Sequence, residues 1–189
     1  MSLRIVSANL DYTRDGDRRY LNYLRSTYSP AVACLQEVER GLKGTRVRGW
    51  GMSALGSPRR VVFGRRGAHR AVAWRWVWID GVKVRVVSVH GLHARTVGRA
   101  VQTAHLMMLV AWLRVMRVPW VLAGDFNRRP AAVARQLKAG DFVAHRVDGV
   151  IVSRGLEILR GHDVDDWGVR NKVTDHEALI VTVALAGAR

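Results

Sequence analysis

RAVAWRWVWIDGVKVRVVSVH, residues 70–90, consists of two β-rich segments, Arg70 to Ile79 and Val82 to His90, separated by Asp80-Gly81. Asp-Gly readily adopts the positive φ angles of a tight two-residue turn, so the two segments are expected to pair as an antiparallel hairpin. Trp74, Trp76 and Trp78 then lie on one face of the first strand. Core packing is the expected role of that face, with a base-stacking platform as the alternative.

Strand and helix signals alternate on the N-terminal side of the hairpin. Ile5 to Asn9 fits a first strand, and a helix follows that Asp15 or Asp17 can cap, with Tyr20, Leu21 and Leu24 as its apolar face and Pro30 as its stop. The apolar run Ala31 to Gln36 is short enough for a buried strand and ends in Glu37. From Gly41 to Gly67 glycine and arginine are dense and periodicity is weak, which predicts loops with one or two short strands. On the C-terminal side, Thr96 is a good cap for a helix over Val97 to Arg117, with Val101, Leu109, Trp112, Leu113 and Met116 at helical spacing. Pro119 to Ala123 is a short apolar strand, and Pro130 is suited to open a helix through Lys138. Further strands fall near Val147 to Ser153, Leu156 to His162 and Ala178 to Leu185. A hairpin in the middle with more strands late predicts a mixed-sheet α/β sandwich and not a purely parallel doubly wound sheet.

The chain's 189 residues, about half of them apolar, suffice for one substantial core, and no repeat or linker interrupts it, so residues 1–189 are expected to form a single domain. The N-terminal residues lack the features of a secretory signal, and the most apolar helix, around Leu106 to Leu113, is flanked by Arg99 and Arg114. A soluble, cytoplasmic monomer with no membrane association is expected. Cys34 is the only cysteine, which excludes an internal disulfide and a zinc-cysteine site, and its place in an apolar run predicts a buried core residue. The formal charge of +16 favours a polyanionic partner, with nucleic acid as the natural candidate. Lysine occurs only at positions 43, 83, 138 and 172, an arginine bias that a GC-rich genome can produce, but that bias does not explain the scarcity of acids.

Because acids are few, their positions are informative. Glu37 and Asp125 each follow an apolar strand, where sheet proteins tend to place their sites, although either alone reads equally as a loop carboxylate or helix cap. Asn9-Leu10-Asp11, Cys34-Leu35-Gln36-Glu37, Ser88-Val89-His90, Gly124-Asp125-Phe126-Asn127, Val147-Asp148-Gly149-Val150 and Thr174-Asp175-His176 succeed one another along the chain. In this order and in these strand contexts they resemble the endonuclease/exonuclease/phosphatase superfamily.

The resemblance implies a four-layer α/β sandwich, two mixed β-sheets packed face to face with helices outside, and Mg²⁺- or Mn²⁺-dependent phosphodiester hydrolysis. It implies Glu37 as principal metal ligand, helped by Asp11, Asn9 or Asp175. Asp125 would orient or deprotonate the attacking water, and Asn127 would hydrogen-bond the phosphate. His176, paired with Asp148, would face the scissile phosphate as an imidazolium. His90 matches a second histidine of many members, with His93 as its competitor, whereas His69, His105, His145 and His162 have no motif context and read as surface or packing residues. Arg128, Arg129, Arg170 and Lys172 would flank the site as substrate contacts, and Trp167 either stacks on a base or packs beneath its loop. DNA or RNA is the expected substrate. The alternatives are a small phosphorylated molecule or lipid headgroup, or a catalytically inactive nucleic-acid-binding module. Two departures bear on these expectations: many members are longer, and threonine precedes Asp175 where serine or proline is common. The tryptophan-cysteine-aspartate-arginine signature of inositol phosphatases is absent near Asp148, which weighs against the lipid alternative.

Overall fold

A computed structural model describes residues 2–10, 14–29, 32–37, 51–53, 73–115, 117–159 and 162–187. Asp11, Pro30, His69, Met116 and most of the glycine- and arginine-rich 41–67 region lie outside these residues. In chain order the elements are β1 (Leu3–Asn9), α1 (Arg14–Tyr28), β2 (Val32–Gln36), β3 (Gly51–Ser53), β4 (Ala73–Ile79), β5 (Val82–His90), α2 (Ala94–Val97) and α3 (Arg99–Arg114). They continue with β6 (Trp120–Asp125), α4 (Pro130–Leu137), β7 (Asp141–His145), β8 (Asp148–Val152), β9 (Leu156–Ile158), β10 (Asp163–Asp165), α5 (Trp167–Arg170) and β11 (Ala178–Leu185).

The hairpin forms as expected. Asp80 and Gly81 sit at φ +46° and +78°, and Ile79 pairs with Val82 across the turn. β5 pairs on its other side with β6 in parallel, after the crossover through α2 and α3, and β8 and β7 complete a sheet ordered β4-β5-β6-β8-β7. The second sheet is ordered β10-β11-β1-β2-β3, with β9 also on β11; β1 pairs β2 in parallel and β11 antiparallel. Both sheets are therefore mixed.

Three apolar clusters define the layers. Between the sheets pack Ile5, Cys34, Val86, Val121, Val150 and Val181, with their neighbours. Tyr20, Leu21 and Leu24 of α1 cover the outer face of one sheet at Val6, Ala8, Ala33 and Leu35. Leu106, Leu109, Val110 and Leu113 of α3, with Val133, Ala134 and Leu137 of α4, cover the other at Val87, Val89, Leu122 and Ile151. The result is the expected four-layer α/β sandwich. Each aliphatic side chain fully removed from water contributes ~1.5–3 kcal/mol, so the strands buried on both faces dominate the driving force. Among the described residues no helix is long and apolar enough to cross a membrane.

Several local expectations need correction. The helix expected over Val97 to Arg117 breaks at Gly98, whose φ of +83° separates α2 from α3, so Gly98 and not Thr96 stands at the N-cap of the long helix. Val101 is 43% exposed and is not part of its buried face. Asp15 and Asp17 fall inside the first turn of α1, after its start at Arg14. The strand expected through His162 stops at Ile158, and β7 and β10 lie in segments where none was expected. Trp78 is 64% exposed and does not pack in the core.

Candidate active site

The inter-sheet face of the central strands changes character along its length. β1 carries Leu3 and Ile5, then Ser7 and Asn9; β2 carries Val32 and Cys34, then Gln36; β5 carries Val84 and Val86, then Ser88 and His90. β6 passes from Val121 and Ala123 to Asp125, and β8 from Val152 and Val150 back to Asp148. The polar ends all lie at one end of the sandwich, because the register sets His90 beside Asp125 and Asp125 beside Asp148 on successive strands. Strand pairing alone therefore delivers these side chains to one place.

Across the gap, Gln36 donates from Nε2 to the Cys34 carbonyl at 3.0 Å and to Ser88 Oγ at 3.2 Å, and Ser88 donates in turn to the Leu35 carbonyl at 3.2 Å. These bonds fasten the sheets together directly below the polar cluster. Above them Asn9 Nδ2 reaches Asp125 Oδ2 at 3.5 Å. His90, 2% exposed, places Nε2 3.3 Å from Glu37 Oε1 and 3.6 Å from Asp125 Oδ2. Glu37 turns into this cluster from a left-handed backbone at φ +51°. Such a conformation costs a non-glycine residue ~1 kcal/mol or more, and it is found preferentially at functional positions.

Asn127 is also left-handed, at φ +47°. Its backbone N–H donates to Asp125 Oδ1 at 2.6 Å, and its Nδ2 donates to the Gly91 carbonyl at 3.0 Å and to Asp125 Oδ2 at 3.4 Å. On the far side, His176 Nδ1 lies 2.8 Å from Asp148 Oδ2, while Nε2 faces Asp125 Oδ2 at 4.0 Å and Asp175 Oδ1 at 3.5 Å. The hydrogen bond to Asp148 raises the His176 pKa to about 9; burial opposes the rise, and the charges of Asp148, Asp125 and Asp175 add to it. The His176 backbone N–H donates to Thr174 Oγ1 at 3.1 Å, so threonine serves before Asp175 as a side-chain acceptor that holds the turn.

The structure thus brings together Asn9, Glu37, His90, Asp125, Asn127, Asp148, Asp175 and His176. Asp11 is not among the described residues. His90, and not His93, belongs to the cluster; His93 caps α2 by accepting from the Arg95 N–H. The basic and aromatic residues sit further out. Arg129 and Lys172 are exposed, Arg170 pairs with Asp166 at 2.8 Å, and Arg128 lines a small cavity with His105, Leu106 and Leu109 under α3. The Trp167 ring stacks on Tyr23 at 4.7 Å and on Tyr20 at 5.6 Å, which is packing beneath the loop. His145, outside any motif, pairs with Glu177.

Gln102 belongs to no motif in the sequence. Its Nε2 donates to the carbonyls of Leu92 at 2.8 Å and Asn127 at 3.0 Å, tying α3 to both loops that leave β5 and β6. Only its place on the buried side of a helix could have marked it.

Asp125, Asp148 and His176 each offer a ligand atom within 4.8 Å of the others, so the cluster can accept a divalent ion. Carboxylates converging with an amide from several strand ends form the hard-donor set that Mg²⁺ or Mn²⁺ takes. The direct hydrogen bond between His176 and Asp148 engages the oxygen and nitrogen that face each other, and a protonated His176 offers no lone pair, which leaves an ion to the carboxylates outside this pair.

No curated protein matches the sequence. The structure is similar to that of humanized D. rerio TDP2 carrying 14 mutations, at 18% identity and a TM-score of 0.69, covering 96% of this chain and 98% of that one. It is similar to D. rerio TDP2 complexed with a single-strand DNA product, at 17% identity and a TM-score of 0.67 over 96% and 98% of the two chains. The human nocturnin catalytic domain with a bound sulfate anion matches at 14% identity and a TM-score of 0.63 over 98% and 95%. At these identities the likeness establishes the fold. The family model described as endonuclease/exonuclease/phosphatase matches residues 6–176, from β1 through the polar cluster to His176, and the chain belongs to that family.

Proposed function

We propose that this protein is a divalent-metal-dependent phosphodiesterase that hydrolyses a polynucleotide, with residues 1–189 acting as one catalytic domain. The observation that carries the proposal is the opposition of two differently tuned sites across Asp125: the Glu37–His90 side, rich in oxygen donors, and the His176–Asp148 pair, in which the carboxylate favours the protonated imidazole. A phosphodiester between them would meet negative donors able to hold a metal on one side and an imidazolium on the other.

In this reading Glu37 holds the metal, with Asn9, Asp11 and Asp175 as further candidates. The ion, when bound, neutralises charge on the phosphate and stabilises the leaving oxygen. Asp125 orients the attacking water and accepts its proton; the two donors from Asn127 fix that carboxylate, and the Asn127 amide would also hydrogen-bond a phosphate oxygen. His176 donates from Nε2 to a non-bridging oxygen as charge develops, and Asp148 on Nδ1 keeps the ring oriented and protonated. His90, between Glu37 and Asp125, is the candidate acid for the leaving oxygen. The D. rerio TDP2 structure containing a single-strand DNA product, together with the +16 charge, supports nucleic acid as substrate.

The test is hydrolysis of a panel of plasmid, linear duplex, single-stranded, abasic and RNA substrates, with a small phosphodiester and a phosphomonoester as controls, in Mg²⁺ or Mn²⁺. Chelation should abolish activity, and Glu37→Gln should lower it by about 100-fold or more with an unchanged fold by circular dichroism. Full activity in excess chelator removes the metal assignment. A small phosphoester hydrolysed faster than any nucleic acid removes the polynucleotide assignment.

A further inference from the structure

The outer face of the β4–β5 hairpin holds an aromatic and cationic surface that the catalytic reading does not use. Trp74, Trp76 and Trp78 project from this face, and the register sets Trp76 beside Arg85 and Trp78 beside Lys83. The Arg85 guanidinium lies 4.3 Å from the Trp76 ring centre, 4.6 Å from that of Trp74 and 5.6 Å from that of Trp112 on α3. Lys83 Nζ lies 4.4 Å from the Trp76 ring. Trp112 marks how far α3 covers this face. Beyond it Trp78 is 64% exposed, and alone of the three strand tryptophans it has no ring or cation contact among the described residues.

We propose that this face binds a single-stranded polynucleotide, with a base stacked on Trp78 and phosphates on Lys83 and Arg85; the proposal rests on the reading of the substrate as a polynucleotide. Tryptophan, with an apolar body and a polar tip, is enriched at contact surfaces, and each candidate cover of Trp78 makes different demands. A second copy of this chain would bring the same cations and a net charge of +16 against its own, which repels it. A duplex keeps its base faces stacked internally and offers only phosphates. A single strand supplies both an open π-face and a negative backbone, the pairing that interleaved tryptophan and cations match. Asp80, in the hairpin turn, is the one acid between residues 73 and 90, against Arg75, Lys83 and Arg85.

The place on the molecule adds a length requirement. Lys83 and His90 are on the same strand but face opposite sides of the sheet; their separation along it at the usual rise is roughly 23 Å, or about seven stacked nucleotides, to which the path around the sheet adds. A strand engaged at both places must therefore be longer than a tri- or tetranucleotide. The face would retain long single strands near the site while leaving the chemistry on short ones unaffected.

The experiment measures equilibrium binding of a labelled oligothymidine of roughly 20 nucleotides to the full chain by fluorescence anisotropy, in chelator so that nothing is cleaved. Trp78→Ala should weaken binding by about 5- to 100-fold, and Trp78→Phe should retain most of it. Duplex of equal length should change less than about twofold, since it contributes phosphates and no free base face. Because Trp78 is exposed, the variant is expected to fold, and unchanged hydrolysis of a small phosphodiester in Mg²⁺ checks this. Equal affinity of wild type and Trp78→Ala for the single strand overturns the proposal, as does an equal loss on duplex and single strand. A change in sedimentation from oligomer to monomer in Trp78→Ala would instead assign the face to self-association and also overturn it. Wild type that cleaves polynucleotides while Trp78→Ala binds normally sinks this inference alone. Wild type that hydrolyses a small diester but binds no polynucleotide removes the substrate reading itself.

Discussion

His176 is pulled in opposite directions, since the Asp148 hydrogen bond and the surrounding carboxylates favour the cation while burial favours the neutral form, and the balance raises its pKa to about 9. The folded-state pKa is raised above the ordinary value of 6.5, so the pair's contribution to stability is complete below about 6.5 and is lost as pH rises through about 9. In metal-free protein the His176 ring protons should titrate near pH 9 by NMR, and Asp148→Asn should move that titration down towards the ordinary value. A titration unmoved by the substitution would mean that the pairing is not the cause. If the two residues act as a unit in catalysis, Asp148→Ala and His176→Ala together should cost little more than the worse single change. These residues were legible because acids are scarce here and each candidate stands at a strand end within a short motif. Less legible were the residues that act through the backbone. Gln102 makes its contribution with an amide to two carbonyls, and Thr174 with a hydroxyl to one N–H, contacts that imply no charge and follow no periodicity.

The strands deliver the site only if β5 and β6 can approach closely enough for His90 to lie beside Asp125, and Gly124 makes that approach possible. Its φ is +148°, and a Cβ there would fall 1.9 Å from the Val89 carbonyl oxygen of the neighbouring strand. Gly124→Ala should therefore destabilise by about 2 kcal/mol or more, a fall in Tm of roughly 5 °C, and should reduce activity by separating the two strands. Gly155, at φ +89° with open space around its Cβ position, is the matching control: its alanine variant carries backbone strain alone, should cost about 1 kcal/mol, and should keep full activity. Equal stability losses from the two variants, with activity intact in both, would show that the close approach is not needed. Elements with strong local chemistry were readable from sequence, above all the Asp80-Gly81 hairpin and the helix opened by Pro130. The long helix misled because its buried stripe begins with a polar residue. Gln102 occupies that face, followed by Leu106, Leu109 and Leu113, whereas Val101 fits the apolar pattern but faces solvent. Alternation likewise assigned the strand tryptophans to one face, but a period of two carries no information about whether a helix reaches far enough to cover it.

Charge acts on the whole molecule in two opposed ways. A formal +16 on 189 residues repels itself in the compact state, so added salt should raise stability by screening that repulsion, while the same screening weakens attraction to a polyanion. Binding and folding should thus respond to salt with opposite signs, and weaker binding at high salt cannot be attributed to unfolding. Among the described residues, two exposed cations adjoin the candidate site's motifs in sequence: Arg129, which follows the Asp125–Asn127 turn, and Lys172, which precedes the Thr174–His176 turn. If these and others neutralise phosphates beyond the scissile one, affinity for a single strand should fall with a log-log slope of about −0.7 per phosphate contacted. Contact with about four phosphates would mean a loss of roughly 50-fold between 50 and 200 mM salt. The measurement is oligonucleotide affinity of the Glu37→Gln variant across that range, followed by a thermal melt at each salt concentration. Arg129→Ala or Lys172→Ala should each make the slope shallower by about 0.7, while hydrolysis of a small phosphodiester, which is too short to reach either residue, should keep a nearly flat salt dependence. A slope near zero for the oligonucleotide, with melting temperatures rising normally, would show that the basic surface serves something other than the substrate and would remove the charge argument for a polynucleotide.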